Sequence, residues 1–279
     1  MSQQHEAEFR QALLRARSDR EQNGPARSSG IGTLGEKTLH AAIKYYVEPD
    51  PACHEVPYLG FVADVKHAAG VVEVQTRSFD RLRRKLAAFL EQGPVTLVCP
   101  LAHEKYLLWL DPDTGEVSSR RKSPKTGRPW HLLPELDRIR DLLDHPRLSL
   151  LILLLDVDEY RNLDGWSRDR KRGSTRREQL PLALREEIWL RQPADWQVML
   201  PAGLPAEFTR QELMRRGPFS QRQASAALRV LQKLELCREA GKQGRAKLYR
   251  QQLPRQVLPE QDAPEQQPAE PSTEAPAEA

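Results

Sequence analysis

Apolar positions recur at helical spacing across residues 31–47, where Leu34, Leu39, Ala42, Ile43 and Tyr46 share one side, and this predicts an amphipathic helix. Glu36 lies beside that stripe, not opposite it. Two short apolar stretches follow at 55–65 and 71–76, and Lys66-His67-Ala68-Ala69-Gly70 between them can turn, so the two are expected to pair as a hairpin. A second helix is predicted after Ser78 as N-cap, with Asp80 in its first turn. Phe79, Leu82, Leu86, Phe89 and Leu90 face inward, and Arg81, Arg83, Arg84 and Lys85 outward. Gly93-Pro94 ends it. Residues 95–99 and 106–111 read as strands, 130–144 as a helix, and 148–157 as a central strand covered on both faces.

The C-terminal pattern changes to short helices. Thr209 caps one over 210–216, Gly217-Pro218-Phe219 turns, and Ser220 caps a second with Gln223 at the capping-box position. Ala224, Ala227, Leu228, Leu231 and Leu234 form its inner stripe, leaving Gln221, Arg222, Ser225 and Arg229 outside. Residues 236–240 and 246–250, joined by Gly241-Lys242-Gln243-Gly244-Arg245, read as a basic hairpin. Helix, turn, helix and basic hairpin together resemble a winged helix-turn-helix. That resemblance implies a helix in the major groove, with Lys242 and Arg245 of the wing on phosphate, or a winged helix used for protein contacts.

Composition adds an outline. Residues 1–29 form a polar extension, read as a frayed helix and linker; 30–192 an α/β domain; 193–251 the helical module; and 252–279 an acidic Pro/Glu/Gln/Ala tail expected to be disordered. Six acids against Arg255 give the tail a net charge of −5, so the remainder of a +4 chain carries +9 and suits a polyanion partner. Arg120, Arg121, Lys122 and Lys125 cluster in 118–128, and Arg170, Lys171, Arg172 and Arg176 in 166–177. Both clusters can grip a phosphodiester backbone, with Trp130 or Trp166 stacking on an unpaired base. Cys53, Cys99 and Cys237 have no disulfide or zinc spacing. The longest apolar run, 148–155, is too short to cross a bilayer and no secretory signal is visible, so the reading is cytoplasmic, with no membrane.

The candidate chemistry is in the first hairpin. Alternate residues of a strand share a face, so Glu73 and Gln75 point together, and pairing brings Asp64 to the same polar face. Two carboxylates held together by rigid backbone suit a hard divalent cation, with the Val74 carbonyl able to complete the shell. A plain hairpin with one wet face has the same pattern. An acid-bearing helix, a strand with Asp64, a strand with Glu73-Val74-Gln75, then helix and strand resemble the PD-(D/E)XK nuclease superfamily over about residues 31–99.

The resemblance implies a restriction-endonuclease-like mixed sheet flanked by helices, with the winged helix appended. It also implies Mg²⁺ or Mn²⁺ on Asp64 and Glu73, Glu36 assisting, and DNA as substrate. Gln75 stands where the superfamily usually has Lys, and would position the water; Lys85 or Arg84 of the next helix are the residues able to replace that charge. Ala63 stands where the superfamily's name has Pro. The body as a whole is similar to an uncharacterised bacterial domain family. The expected function is a metal-dependent, nuclease-like protein targeted by a winged helix. The alternatives are a non-catalytic DNA-binding regulator and an adaptor using both modules for protein contacts; a homodimer is left open.

Overall fold

The computed structural model describes residues 3–23, 35–111, 113–162, 164 and 175–252, without the side chains of 3, 20–23, 35–37 and 178. After helices α1 (Gln3–Asn23) and α2 (Gly35–Val47), three antiparallel strands form a meander: β1 (His54–Tyr58), β2 (Phe61–His67) and β3 (Gly70–Val74). Helix α3 (Phe79–Gln92) crosses over to β4 (Val95–Leu110), which runs parallel to β3. A two-residue strand, β5 (Arg121–Lys122), pairs with the outer half of β4. The short helix α4 (Leu133–Leu136), between 3-10 segments at Pro129–Leu132 and Asp137–Leu142, leads to β6 (Leu148–Asn162), parallel to β4. Strand β7 (Arg176–Leu190) returns antiparallel to β6, giving a mixed sheet ordered β1-β2-β3-β4-β6-β7 with β5 beside β4.

Strand alternation sorts the core into two layers. Leu97, Cys99, Leu150, Ile152 and Leu154 face α3, where they meet Phe79, Leu82, Leu86, Phe89 and Leu90. Their neighbours Val98, Leu151, Leu153 and Leu155 face the other way, onto Leu39 and Ile43 of α2 and Phe9 of α1. A strand with both faces covered is apolar almost throughout, which is why 148–155 reads as an apolar run with Ser149 its one polar residue. Among the described residues no helix is long and apolar enough to cross a membrane.

Several sequence expectations are corrected. Residues 55–65 are not one strand: Tyr58 pairs with Phe61 across Leu59-Gly60, both at positive φ, so the stretch is itself a hairpin. The strands expected at 95–99 and 106–111 are one, despite Pro100. The Val98 carbonyl accepts the Gln75 N–H (2.9 Å) on the β3 side, and Pro100, two residues on, faces that side past the end of β3, where no ladder bond is lost. The helix expected at 130–144 is broken by non-helical backbone at Ile139. The polar N-terminal extension contains a packed helix, with Phe9, Ala12, Leu13 and Ala16 buried. Its linker, Glu36's side chain, residues 166–174 of the second basic cluster and the acidic tail from 253 lie outside the described residues.

Gly70 fixes the turn into β3. Its φ is +142°, and a Cβ there would lie 2.4 Å from the Pro94 carbonyl oxygen, the group that accepts the Val71 N–H at 3.0 Å. Gly70→Ala is therefore expected to cost about 1–3 kcal/mol, read as a lower midpoint in urea unfolding. An unchanged midpoint would remove this account of the turn.

The C-terminal residues form a second, three-stranded sheet, β8 (Glu207–Thr209), β9 (Cys237–Gln243) and β10 (Ala246–Gln251), ordered β8-β10-β9, with α5 (Arg210–Arg216) and α6 (Gln221–Lys233) against it. Both expected caps form as capping boxes, Thr209 with Glu212 and Ser220 with Gln223. The apolar layer on the α3 side continues without a break into this sheet through Trp196, Met199, Phe219 and Leu228.

Candidate active site

Strands β2 and β3 pair from His67–Gly70 to Val65–Val72, and there the ladder stops. Beyond it, each strand's carboxylate satisfies the backbone of the other. Asp64 Oδ2 accepts the Val74 N–H at 2.8 Å, and Glu73 Oε1 accepts the Asp64 N–H at 3.1 Å. The two acids expected to meet are thus brought together, but not on a wet face: Glu73 is 1% exposed. It lies on the α3 side of β3, and α3 supplies its counter-charge. Lys85 sits among the inward positions Leu82, Leu86 and Phe89, with its ammonium on Glu73 Oε2 and 5.7 Å from the Phe89 ring centre.

The charge balance is incomplete. Burial, then the neighbouring Asp64 charge, push the Glu73 carboxyl up to about 7, although Lys85 and the Asp64 N–H pull the other way. A second buried acid shows the contrast. Glu159 on β6, also 1% exposed, is held by Lys105 (3.1 Å), Arg161 (2.7 Å) and Gln179 (2.9 Å). Burial pushes Glu159 up, but Lys105 and Arg161 outweigh it and leave the carboxyl below its usual range. Asp156, 3% exposed, is likewise matched by Arg185 at 2.7 Å. The acids at the end of β6 are compensated structural ion pairs, whereas Asp64–Glu73 is short of positive charge, the condition expected of a functional site.

That shortage is the fit test for a cation. Two adjacent carboxylates, one buried, offer the oxygen donors that Mg²⁺ takes alongside water and phosphate oxygens. No group of three or more His, Cys, Asp or Glu that could hold a metal occurs among the described residues, which do not include the Glu36 side chain at the start of α2.

Gln75 does not turn toward the acids through its amide nitrogen, which donates to the carbonyls of Arg77 and, at 3.5 Å, Ser78. It braces the loop entering α3. Ser78 stands at the N-cap as expected, but at φ +60° and without a side-chain cap; Glu135 Oε2 accepts the Phe79 N–H instead, at 3.3 Å. Nothing in the spacing of Pro134-Glu135 announces this role, since it depends on α4 reaching α3.

The basic positions divide. Arg120 stacks 3.4 Å over the Tyr106 ring and pairs with Asp158 at 2.8 Å; Lys122 pairs with Glu104 at 2.6 Å. Arg121, Lys125 and Arg176 are exposed. Arg170, Lys171, Arg172 and Trp166 lie outside the described residues, and Arg176 begins β7 instead of ending a loop. Trp130 is half-buried against the core, with its indole nitrogen buried and without a hydrogen-bond partner. In the C-terminal unit Gln221, Arg222, Lys242 and Arg245 are exposed and Ser225 is half-buried, whereas Arg229 pairs with Asp137.

A family model described as "Domain of unknown function (DUF8091)" matches residues 37–191, more than half the chain. An uncharacterized protein of Treponema pallidum (strain Nichols) is similar at 34% identity over 224 residues, covering 79% of this chain and 87% of that one. No solved structure matches at the same stringency.

Proposed function

Since the chain belongs to the DUF8091 family, whose description assigns no activity, we propose from the site itself that it is a metal-dependent, nuclease-like protein acting on DNA phosphodiester bonds. The observation that carries this reading is the under-compensated pair of buried Glu73 and half-buried Asp64, with Lys85 beside it. The element order α2-β1-β2-β3-α3-β4, with Asp64 on β2 and Glu73 on β3, supports a restriction-endonuclease-like core. The order β8-α5-α6-β9-β10 supports a winged helix as the targeting module.

In this reading Asp64 and Glu73 would hold Mg²⁺ or Mn²⁺, which would supply an activated water and neutralise charge at the scissile phosphate. Lys85 brings the positive charge usually carried at position 75, from α3 instead of from β3. Its ammonium rests on Glu73 Oε2, so a cation on Glu73 would share that oxygen or shift the ammonium toward the phosphate. Gln75 acts as a positioning residue by holding the 77–78 carbonyls and hence the entry of α3. The second reading, a DNA-binding regulator that does not cut, is favoured by one observation. Lys85 sits directly on Glu73, as a structural ion pair would.

The test is nicking of supercoiled plasmid and single-stranded DNA with Mg²⁺, Mn²⁺ or chelator, alongside binding by fluorescence anisotropy. Metal-dependent nicking is expected. Salt-sensitive binding with no nicking in either metal would select the regulator, and absence of both would remove the DNA reading altogether.

A further inference from the structure

Helix α6 has two buried sides. Ala224, Ala227, Leu228 and Leu231 face its own sheet, while Ala226 (7% exposed) and Val230 (0%) are buried as well, and the helix packs against α4 and the Asp137–Leu142 segment. Gln221, Arg222, Gln223, Ser225, Arg229 and Gln232 are left on the outer side, along which the only long cation in the middle of the helix is Arg229. That side chain is exposed but engaged. Its Nε donates to Asp137 Oδ1 at 3.0 Å and its Nη2 to Oδ2, a two-pronged grip of the kind a phosphate also receives. One turn on, Lys233 reaches Asp144. Asp137 is itself held by Arg140 at 2.6 Å, and its carboxyl is kept ionised: burial pushes it up, but the bonds from Arg229 and Arg140 outweigh this and lower it.

We infer that Asp137 and Asp144 act as an internal nucleic-acid mimic, an autoinhibitory clasp that occupies Arg229 and Lys233 of the reading helix until a duplex competes for them. The inference rests on the proposal that the C-terminal unit binds DNA. The physics favours exchange of side chains over detachment of the helix. The apolar seat of Ala226 and Val230 is dry, and His131 also meets Phe219 edge-on at 6.5 Å, so the backbone stays in place. The Lys233–Asp144 pair is open to solvent on both sides, 33% and 57% exposed, and weak enough for a polyanion to displace; Asp137 is only 11% exposed, but it keeps Arg140 as a partner when Arg229, itself 49% exposed, is drawn away. The clasp therefore subtracts from affinity without hiding the helix.

The experiment measures affinity of the full chain for a duplex of about 20 base pairs by anisotropy across ~50–200 mM salt. Asp137→Asn keeps the shape of the side chain and removes its charge; Asp144→Asn does the same at a more exposed position, where folding is not at risk. Each is expected to tighten binding about three- to tenfold at the low-salt end and to steepen the salt dependence by about one phosphate contact. Arg229→Gln added to Asp137→Asn should cancel the gain. Unchanged or weaker binding by both Asp variants, while Arg222→Ala and Lys242→Ala weaken the parent, would overturn the clasp and leave DNA binding standing. If the parent binds no duplex and neither basic variant matters, the DNA reading fails and the clasp goes with it.

Discussion

Asp64→Asn is expected to reduce metal-dependent cleavage by at least about a hundredfold while leaving DNA affinity within about twofold. Asparagine is the informative replacement because position 64 has two jobs. Its carboxylate caps the Val74 N–H where the β2–β3 ladder has stopped, and it is one of two candidate cation ligands. An amide oxygen can still accept that N–H, so the split between the strands survives, but it is a poorer ligand and carries no charge. Loss of cutting with intact binding and an unchanged melting transition would isolate the chemical role. Retained cutting would move the chemistry elsewhere, and a collapse of stability in Asp64→Asn would mark the pair as structural.

Glu73→Gln should act in opposite directions on stability and on activity. The folded-state value for Glu73, about 7, lies above the ordinary value of 4.5, so its contribution to stability is fully present below pH 4.5 and is lost as the pH rises through about 7. Above that pH the protein carries a buried carboxylate beside Asp64 with only Lys85 against it. Glutamine keeps the uncharged shape at every pH. The variant is expected to match the parent near pH 4.5 and to be more stable by about 2–3 kcal/mol at pH 8.5, measured by urea unfolding at the two values. Over the same interval cation binding by the parent should strengthen with pH and release a proton, because the ligand is the carboxylate. Glu73→Gln should bind no cation and cut nothing. A variant less stable than the parent at pH 8.5 would show that Lys85 compensates Glu73 fully.

The meeting of Asp64 with Glu73 was legible because a strand's period of two leaves few places for a side chain to go, and a hairpin signal at 66–70 fixes which residues approach. Burial of Glu73 was not. It depends on α3 lying across that face, and strand periodicity alone cannot say what covers a face. Lys85 could be named as a replacement for the charge missing at Gln75, but its choice over Arg84 follows from the helix phase that sets it next to Leu86 and Phe89. Strand β7 has no legible pattern because charged residues and Pro181 interrupt it, as edge positions permit and central ones do not. The packing of α1 did have a signal, since Phe9, Ala12, Leu13 and Ala16 recur at three and four residues; the polar composition around them obscured it. The capping boxes at Thr209 and Ser220 were fully readable because they are local.

The unbroken apolar layer under both sheets has a bearing on the proposed cleavage. Trp196 and Met199, in the segment joining β7 to β8, are buried in the same mass as Leu136 and Leu231, so there is no slack tether between α6 and the β2–β3 split. A duplex gripped at one end would meet the acidic pair at a constant offset, as against a ruler. Fragments would then share a single spacing from the gripped end, in contrast to the ladder of lengths that a swinging tether produces.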